Sequence, residues 1–395
     1  MKIGILTHYY KSLNYGGVLQ AYALATFLRS RGYEAEQISY AFSSNPFLPD
    51  PAHRDAAPCP AGLRGKLLRY RNALRYRLIE KRREEAYAGY KRTALRERAD
   101  AFSAFSDLVP HSEAVWIPDT VADAAENYDC LITGSDQVWN FDWFNPAFFL
   151  DFPNWKGRRI AYAASAGRSV FRAEESAYLR RVLPELEAVS VRESDLAAAL
   201  NEMPGIPNVV TAVDPTMLLS QAEWEAIAAP RLIGKRYLFC YFLHNDEDLA
   251  QLARKVARKF HLTIAAIPFP GVEYNREDLR FGSRRFDAAS PADFLSLIRH
   301  AELVLTDSFH AAVFSLLFEK PFTVFPRGDA PRMGSRLQTL TELFGCPERF
   351  CTVPAEERYR YVLGLKQAQI PAPSPRFLEL VKSSETFLLD SLGKE

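Results

Sequence analysis

The chain has 395 residues, more than a single compact core usually holds, so two domains are expected. Hydrophobic residues make up 48% and charged residues 25%, the balance of a globular protein rather than a disordered or membrane-spanning one. Its 49 Lys/Arg against 48 Asp/Glu leave a net charge of +1, which gives no support to wholesale nucleic-acid binding, and no nucleic-acid partner is expected.

The five cysteines (59, 130, 240, 346 and 351) are dispersed without a CxxC pair, and Cys130 and Cys240 lie inside apolar runs. Free thiols in a reducing cytoplasm are therefore expected, with Cys346–Cys351 as the spacing that could close a loop. No apolar run approaches the ~20 residues that span a bilayer. The first residues already read as a strand, broken by polar residues too early for a signal peptide.

Lys2-Ile3-Gly4-Ile5-Leu6-Thr7 is a short apolar strand, followed by a loop through Asn14-Tyr15-Gly16-Gly17. Residues 18–31 carry Leu19, Tyr22, Ala23, Phe27 and Leu28 at helical spacing, Gly32 ends the helix, and residues 34–40 form the next strand. This βαβ unit calls for a parallel sheet with helices on its faces. Two glycines between strand and helix would let backbone N–H groups and the helix N-terminus face an anion, although neither a GxGxxG nor a P-loop is present.

Residues 43–62 are rich in Pro, Ala, Ser and Asp and read as an exposed loop. Residues 64–98 carry 13 Lys/Arg against 4 Glu on a helix-forming background. This arm reads as a solvated helix or as a surface for anionic lipid head groups or an anionic glycan carrier, which would associate it peripherally with the inner face of a membrane.

The apolar run Cys130-Leu131-Ile132 ends abruptly in Gly134-Ser135-Asp136-Gln137-Val138-Trp139-Asn140, the order expected at the carboxyl edge of a parallel sheet, where ligands bind. Gly134 would allow close backbone approach, Ser135, Asp136, Gln137 and Asn140 would supply donors and acceptors, and Trp139 a flat wall. A tight turn with an Asp N-cap is the alternative. Strands are also expected at residues 159–163, 188–191 and 209–213, with a crossover helix in 174–186. The second of these strands ends at Arg192, which would clamp a phosphate or carboxylate, or else pair with Glu193 or Asp195.

A second βα series runs from a strand at residues 237–242 through a helix at 246–260, a strand at 262–267, a helix at 292–300 and a strand at 303–306. A helix at 311–318 and a strand at 322–325 complete it. Asp214-Pro215, Pro230 and Gly234 punctuate the boundary, so the expected domains are residues 1–215 and 235–372, followed by a C-terminal helix within 373–395. Thr306-Asp307-Ser308-Phe309-His310 repeats the pattern of a strand end carrying polar residues, and His310 opens the next helix. A histidine there, beside Asp307 and Ser308, is placed for proton transfer near neutral pH. Ser-His-Asp hydrolysis is the rival use, but its GxSxG elbow is missing. Arg327, Arg332 and Arg336 flank Gly328 and Gly334 in a loop after a strand and suit an anionic ligand.

Asn14-Tyr15-Gly16-Gly17-Val18-Leu19-Gln20-Ala21-Tyr22-Ala23-Leu24, Gly134-Ser135-Asp136-Gln137-Val138-Trp139-Asn140, Ser190-Val191-Arg192-Glu193, Asp214-Pro215-Thr216 and Thr306-Asp307-Ser308-Phe309-His310 together resemble the polysaccharide pyruvyl transferase family. The motifs occur in family order over roughly residues 1–345. The resemblance implies an α/β fold of two Rossmann-like parallel-sheet domains facing across a cleft, GT-B-like, with the acceptor on the N-terminal side and the donor on the C-terminal side. It implies transfer of pyruvate from phosphoenolpyruvate, as co-substrate and with no other cofactor, onto two hydroxyls of a sugar as a ketal. The acceptor would be a sugar or lipid-linked oligosaccharide of a surface or exopolysaccharide precursor. By resemblance His310 corresponds to the family's active-site histidine, Arg192 to an anion-binding arginine and Asp136 to an acidic site residue. The chemistry then suggests His310 as general acid, Asp136 as base or sugar-hydroxyl ligand, and Trp139 as a stacking surface. Better-studied members carry an arginine two residues before that histidine; here the position is Ser308, so Arg327, Arg332 or Arg336 replaces it or the donor differs. A nucleotide-sugar-dependent GT-B glycosyltransferase, with aromatic residues around 239–242 and 268–274 holding a base, is the alternative. A non-enzymatic carbohydrate-binding protein is the third reading. No metal cluster is apparent in the sequence.

Overall fold

A strand buried on both faces must be apolar throughout, and such strands belong in parallel sheets covered by helices. The protein, described by a computed structural model over residues 1–42, 94–152, 154–244, 246–268, 281–327 and 335–393, contains two sheets of this kind. The expected loop at 43–62, residues 64–93 of the basic arm, Arg332 and the aromatic residues at 269–274 lie outside the described residues.

The first sheet has seven strands: β1 (Lys2–Leu6), β2 (Glu34–Tyr40), β3 (His111–Trp116), β4 (Cys130–Thr133), β5 (Arg158–Ala164), β6 (Ala188–Val191) and β7 (Val209–Thr211). They are ordered β3-β2-β1-β4-β5-β6-β7, and every pairing is parallel. β3 escaped the sequence reading because it is an edge strand: of His-Ser-Glu-Ala-Val-Trp only Ser112 is buried, so no apolar period marks it. The second sheet comprises β8 (Tyr237–Tyr241), β9 (Thr263–Ala266), β10 (Arg284–Arg285), β11 (Leu303–Thr306) and β12 (Phe322–Val324). Its order is β10-β9-β8-β11-β12, again wholly parallel.

The chain forms two compact units. One holds residues within 1–74, 106–219 and 378–395, and the other those within 75–105 and 220–377. The C-terminal helix Pro375–Ser391 thus belongs to the first unit from Leu378 onward. Ser384 Oγ there accepts from the Val213 N–H at 3.0 Å, and Arg158 donates to the Ser391 carbonyl. Arg98, counted with the basic arm, is fully buried in the helix Ala94–Ser106, and its Nε donates to the Asp287 carbonyl at 2.6 Å. That residue is a packing element rather than part of a solvated face.

Each unit has its own apolar core beneath its sheet, from Leu6 to Val209 in the first and from Leu238 to Val362 in the second. The helix Glu247–Phe260 shows why these segments are helical: Leu249, Leu252, Ala253, Val256 and Ala257 recur on one buried face. Asp246 caps it by accepting from the N–H groups of Asp248 and Leu249, and His261 ends it in a left-handed conformation. Cys130, Cys240, Cys346 and Cys351 are unpaired and buried. Among the described residues no helix is long and apolar enough to cross a membrane.

In both sheets the strand order reverses beside the first strand of the unit: β1 lies between β2 and β4, and β8 lies between β9 and β11. These are the topological switch points, outside whose carboxyl ends open α/β sheets bind ligands. The helix after β1 starts at Tyr15, so Gly16 and Gly17 are its first turn rather than a free loop. A Cβ on Gly17 would stand 2.6 Å from the His8 carbonyl, closer than real contacts come. Gly17→Ala should therefore cost about 1–3 kcal/mol in urea unfolding, whereas Gly234→Ala, where nothing lies within 4 Å, should stay within about 0.5 kcal/mol.

Candidate active site

In the first unit, the turn after β4 brings Asp136 to the switch point. Asp136 has a φ of 72°, a left-handed conformation that non-glycine residues rarely adopt. Its backbone is fixed on both sides, since its carbonyl accepts from the N–H groups of Val138 at 2.8 Å and Ser165 at 3.0 Å. Its carboxylate accepts from Asn14 Nδ2 at 3.0 Å, joining the end of β4 to the start of the helix after β1. Asn14 thus spends its side chain on Asp136 instead of capping its helix.

Beneath Asp136 lies a buried ionic cluster. Arg192 Nη1 donates to Asp214 Oδ2 at 2.8 Å, Nε is 3.6 Å from Glu193 Oε1, and Nη2 is 4.0 Å from Asp136 Oδ1. Burial opposes its charge, but Glu193, Asp214 and Asp136 outweigh burial and hold the guanidinium above its usual range. Asp214, with no exposure at all, also accepts from Ser135 Oγ at 3.0 Å and from the Thr216 N–H and hydroxyl at 3.0 and 2.7 Å. Ser165 Oγ donates to Glu193 at 2.6 Å. Three carboxylates thus face one guanidinium, and the arginine expected to clamp a ligand anion is committed to the protein's own acids. Asp214 was legible only as part of a motif; its role as the partner of Arg192 was missed, because β7 comes beside β6 only in the folded sheet.

The remaining residues of the first expected site divide sharply. Trp139 is 1% exposed, donates from Nε1 to the Phe148 carbonyl at 3.0 Å and stacks on Phe149, so it is a core residue and not a wall for a sugar. Ser135 and Tyr15 are likewise buried, and Gly134 serves β1, because a Cβ there would meet Thr7 at 3.1 Å. Asn140 donates to Gln137 Oε1 at 2.8 Å and accepts from the Asp142 N–H, which is local turn chemistry. Asp136, Asn14 and the half-buried Gln137 are what this edge presents. His8, unremarked in the sequence, lies against Phe148 with ring centroids 4.4 Å apart. Burial pushes its imidazole down to about 4, against the opposing pull of Asp136, so it is neutral above mild acid.

In the second unit, Asp307 leaves β11 fully buried and reaches across to the end of β8. Its Oδ1 accepts from the Leu243 N–H at 2.7 Å and its Oδ2 from His244 Nδ1 at 2.5 Å. The carboxylates of Asp246 and Asp307 raise the His244 imidazole to about 9. His244 was not among the expected site residues; its only sequence signal is a polar step directly after the apolar run of β8. Ser308 caps the helix Phe309–Leu317, accepting from the Ala311 N–H at 3.4 Å, and His310 sits in its first turn, 7% exposed. Arg327 is half-buried just after β12, and Arg336 is buried in the helix Ser335–Phe344. Phe239 and Tyr241, considered as walls for a nucleotide base, are buried strand residues. Among the described residues no group of three or more His, Cys, Asp or Glu is placed to hold a metal ion.

A sequence profile of the polysaccharide pyruvyl transferase family matches residues 14–329. Comparison with curated protein sequences gives no match. Among solved structures, the chain is similar to UDP-GlcNAc 2-epimerase from Neisseria meningitidis, bound to UDP-GlcNAc, with 11% identity over 100% of both chains and a TM-score of 0.53. It is similar also to UDP-GlcNAc 2-epimerase from Methanocaldococcus jannaschii, in complex with UDP-GlcNAc and UDP, with 11% identity over 98% of this chain and 100% of that one and a TM-score of 0.53. At such identities the likeness is one of fold: two parallel-stranded α/β sheets of the GT-B-like kind.

Arg192→Ala would leave three carboxylates facing one another and should lower unfolding stability by about 3–5 kcal/mol. Arg327→Ala, on a half-exposed residue, should stay within about 0.5 kcal/mol in the same urea titration. The two histidines set opposite pH limits. His8, with its folded pKa below the unfolded 6.5, contributes stability above pH 6.5 that is lost as pH falls towards about 4. His244, with its folded pKa above 6.5, contributes stability below pH 6.5 that is lost as pH rises through about 9. Urea midpoints measured from pH 4 to 10 should fall on both sides, His8→Gln flattening the acid limb and His244→Gln the alkaline one.

Proposed function

The chain belongs to the polysaccharide pyruvyl transferase family, and from that premise we propose that it transfers a pyruvyl group from phosphoenolpyruvate to two hydroxyls of a sugar in a surface or exopolysaccharide precursor. In this reaction the methylene carbon of the donor gains a proton, the two sugar oxygens bond to the former enol carbon, and inorganic phosphate leaves. Of the two hydroxyl protons released, one balances the new methyl group and the other the phosphate.

The observation that carries the assignment of roles is the charge of the two switch points. Phosphoenolpyruvate bears close to three negative charges, and the first unit offers Asp136, Glu193 and Asp214 against a single, committed Arg192. Such an edge repels the donor and suits the neutral hydroxyls of an acceptor, with Asp136 positioned to accept a hydroxyl proton. The second unit carries His310 at a helix N-terminus, His244 with its imidazole raised to about 9, Arg327 just after β12, and Arg336 on the helix Ser335–Phe344. These groups suit the phosphate and carboxylate of the donor, and His310 is the general acid in this reading.

The acceptor, a free sugar or a lipid-linked oligosaccharide, is named by class only. Incubation with phosphoenolpyruvate and candidate oligosaccharides should release inorganic phosphate and add the mass of one pyruvyl ketal. His310→Ala should lower turnover at least ~10²-fold; turnover within threefold of wild type would remove His310 from proton transfer. A melting-temperature rise with UDP- or GDP-sugars but none with phosphoenolpyruvate would replace this reading by nucleotide-sugar chemistry, since saturating ligand stabilises whichever protein binds it.

A further inference from the structure

The reversal of strand order in the second sheet is spanned by hydrogen bonds between the ends of β8 and β11, among them those of the Asp307 carboxylate. His244 follows β8, Asp307 follows β11, and these strands are neighbours at the switch point. The Asp307 carboxylate is fully buried and spends one oxygen on the Leu243 N–H and the other on His244 Nδ1. It has no exposure with which to meet a substrate, so it is a positioning residue rather than the ligand contact expected from the sequence. Because a carboxylate accepts at Nδ1, the opposite ring nitrogen is the one left to face other partners. His244 Nε2 lies 3.7 Å from Asp246 Oδ2, longer than a hydrogen bond, while the other oxygen of Asp246 accepts from two N–H groups of the helix it caps. The imidazole is partly exposed, at 20%.

We propose that His244 is a donor-anchoring residue, whose Nε2–H, aimed by Asp307, hydrogen-bonds an anionic oxygen of phosphoenolpyruvate at the β8/β11 switch point. This rests on the reading of the second unit as the donor side. Asp246 and Asp307, one from each strand end, are the charged groups acting on the ring, and they keep it cationic at neutral pH. A point charge oriented by a buried carboxylate is preorganised, so binding an oxyanion requires little rearrangement. Ser308 uses its hydroxyl to cap the helix beside it and adds no charge at this strand end, so His244 is the first basic residue after the carboxyl end of β8. The interaction is a hydrogen bond only, and no proton changes hands in it.

Calorimetric titration of the full chain with phosphoenolpyruvate, inorganic phosphate and pyruvate tests the proposal and separates the two anionic ends of the donor. His244→Gln should weaken phosphoenolpyruvate binding about 10- to 100-fold, as expected for a charge-assisted hydrogen bond. The same loss should appear with phosphate if the phosphoryl end is held, or with pyruvate if the carboxylate is. Asp307→Asn should move the pH at which affinity is lost from about 9 towards 6.5, a shift that a residue merely filling space would not cause. If Asp307→Asn does not fold, His244→Gln decides alone, with far-UV circular dichroism confirming its fold. Unchanged affinity in folded His244→Gln, or no binding of any probe to the wild type, overturns the proposal. Turnover of phosphoenolpyruvate by His244→Gln with unaltered KM would end this inference and leave the proposed function standing. His244-dependent binding without phosphate release from any acceptor would do the reverse.

Discussion

A carboxylate carried out of water has to regain every hydrogen bond it gave up, and each unit of this protein uses one such carboxylate to lock loops that leave different strands. In the first unit Asp214 gathers Ser135 from the end of β4, Arg192 from the end of β6 and Thr216 from its own turn. In the second, Asp307 gathers Leu243 and His244 from the end of β8. The candidate site residues inherit their positions from these two acids. Asp136 follows Ser135, and His310 follows the Asp307-Ser308 turn that opens its helix.

This arrangement explains how a non-glycine residue is held with positive φ at the most polar edge of the first sheet. Local strain of that kind persists only where surrounding bonds over-determine it. Asp136 is clamped by hydrogen bonds on its own carbonyl, by Asn14 on its carboxylate and by the buried Ser135 beside it. The carboxylate is thereby presented in one orientation while the backbone around it belongs to the core.

The two edges also differ electrically for a structural reason. The first is acidic because its one buried guanidinium is consumed by the acids that hold the strand ends together. The second keeps a cation because Asp246 and the buried Asp307 hold the partly exposed His244 imidazole well above its usual range. The proposed reaction, with a neutral acceptor and a highly charged donor, calls for this asymmetry.

Strand and helix positions were legible in the chain because they depend on local apolar periods: β1, β4, β8 and β11 are buried on both faces and read as unbroken apolar runs. The edge strand β3 lacked that signal. The motif segments were legible too, but a motif lists side chains without stating which way each one turns. Trp139, Ser135 and Asn140 turned inward or toward their own loop, while Asp136 and the half-buried Gln137 of that run reached the edge with Asn14 beside it. The pairing of Arg192 with Asp214, 22 residues on, and of His244 with Asp307, 63 residues on, was decided by the folded sheets alone. Periodicity encodes which face of a segment is buried, since that is settled within the segment. Which strand ends become neighbours depends on an order that does not follow the chain, and buried charges can choose partners only after that order is set.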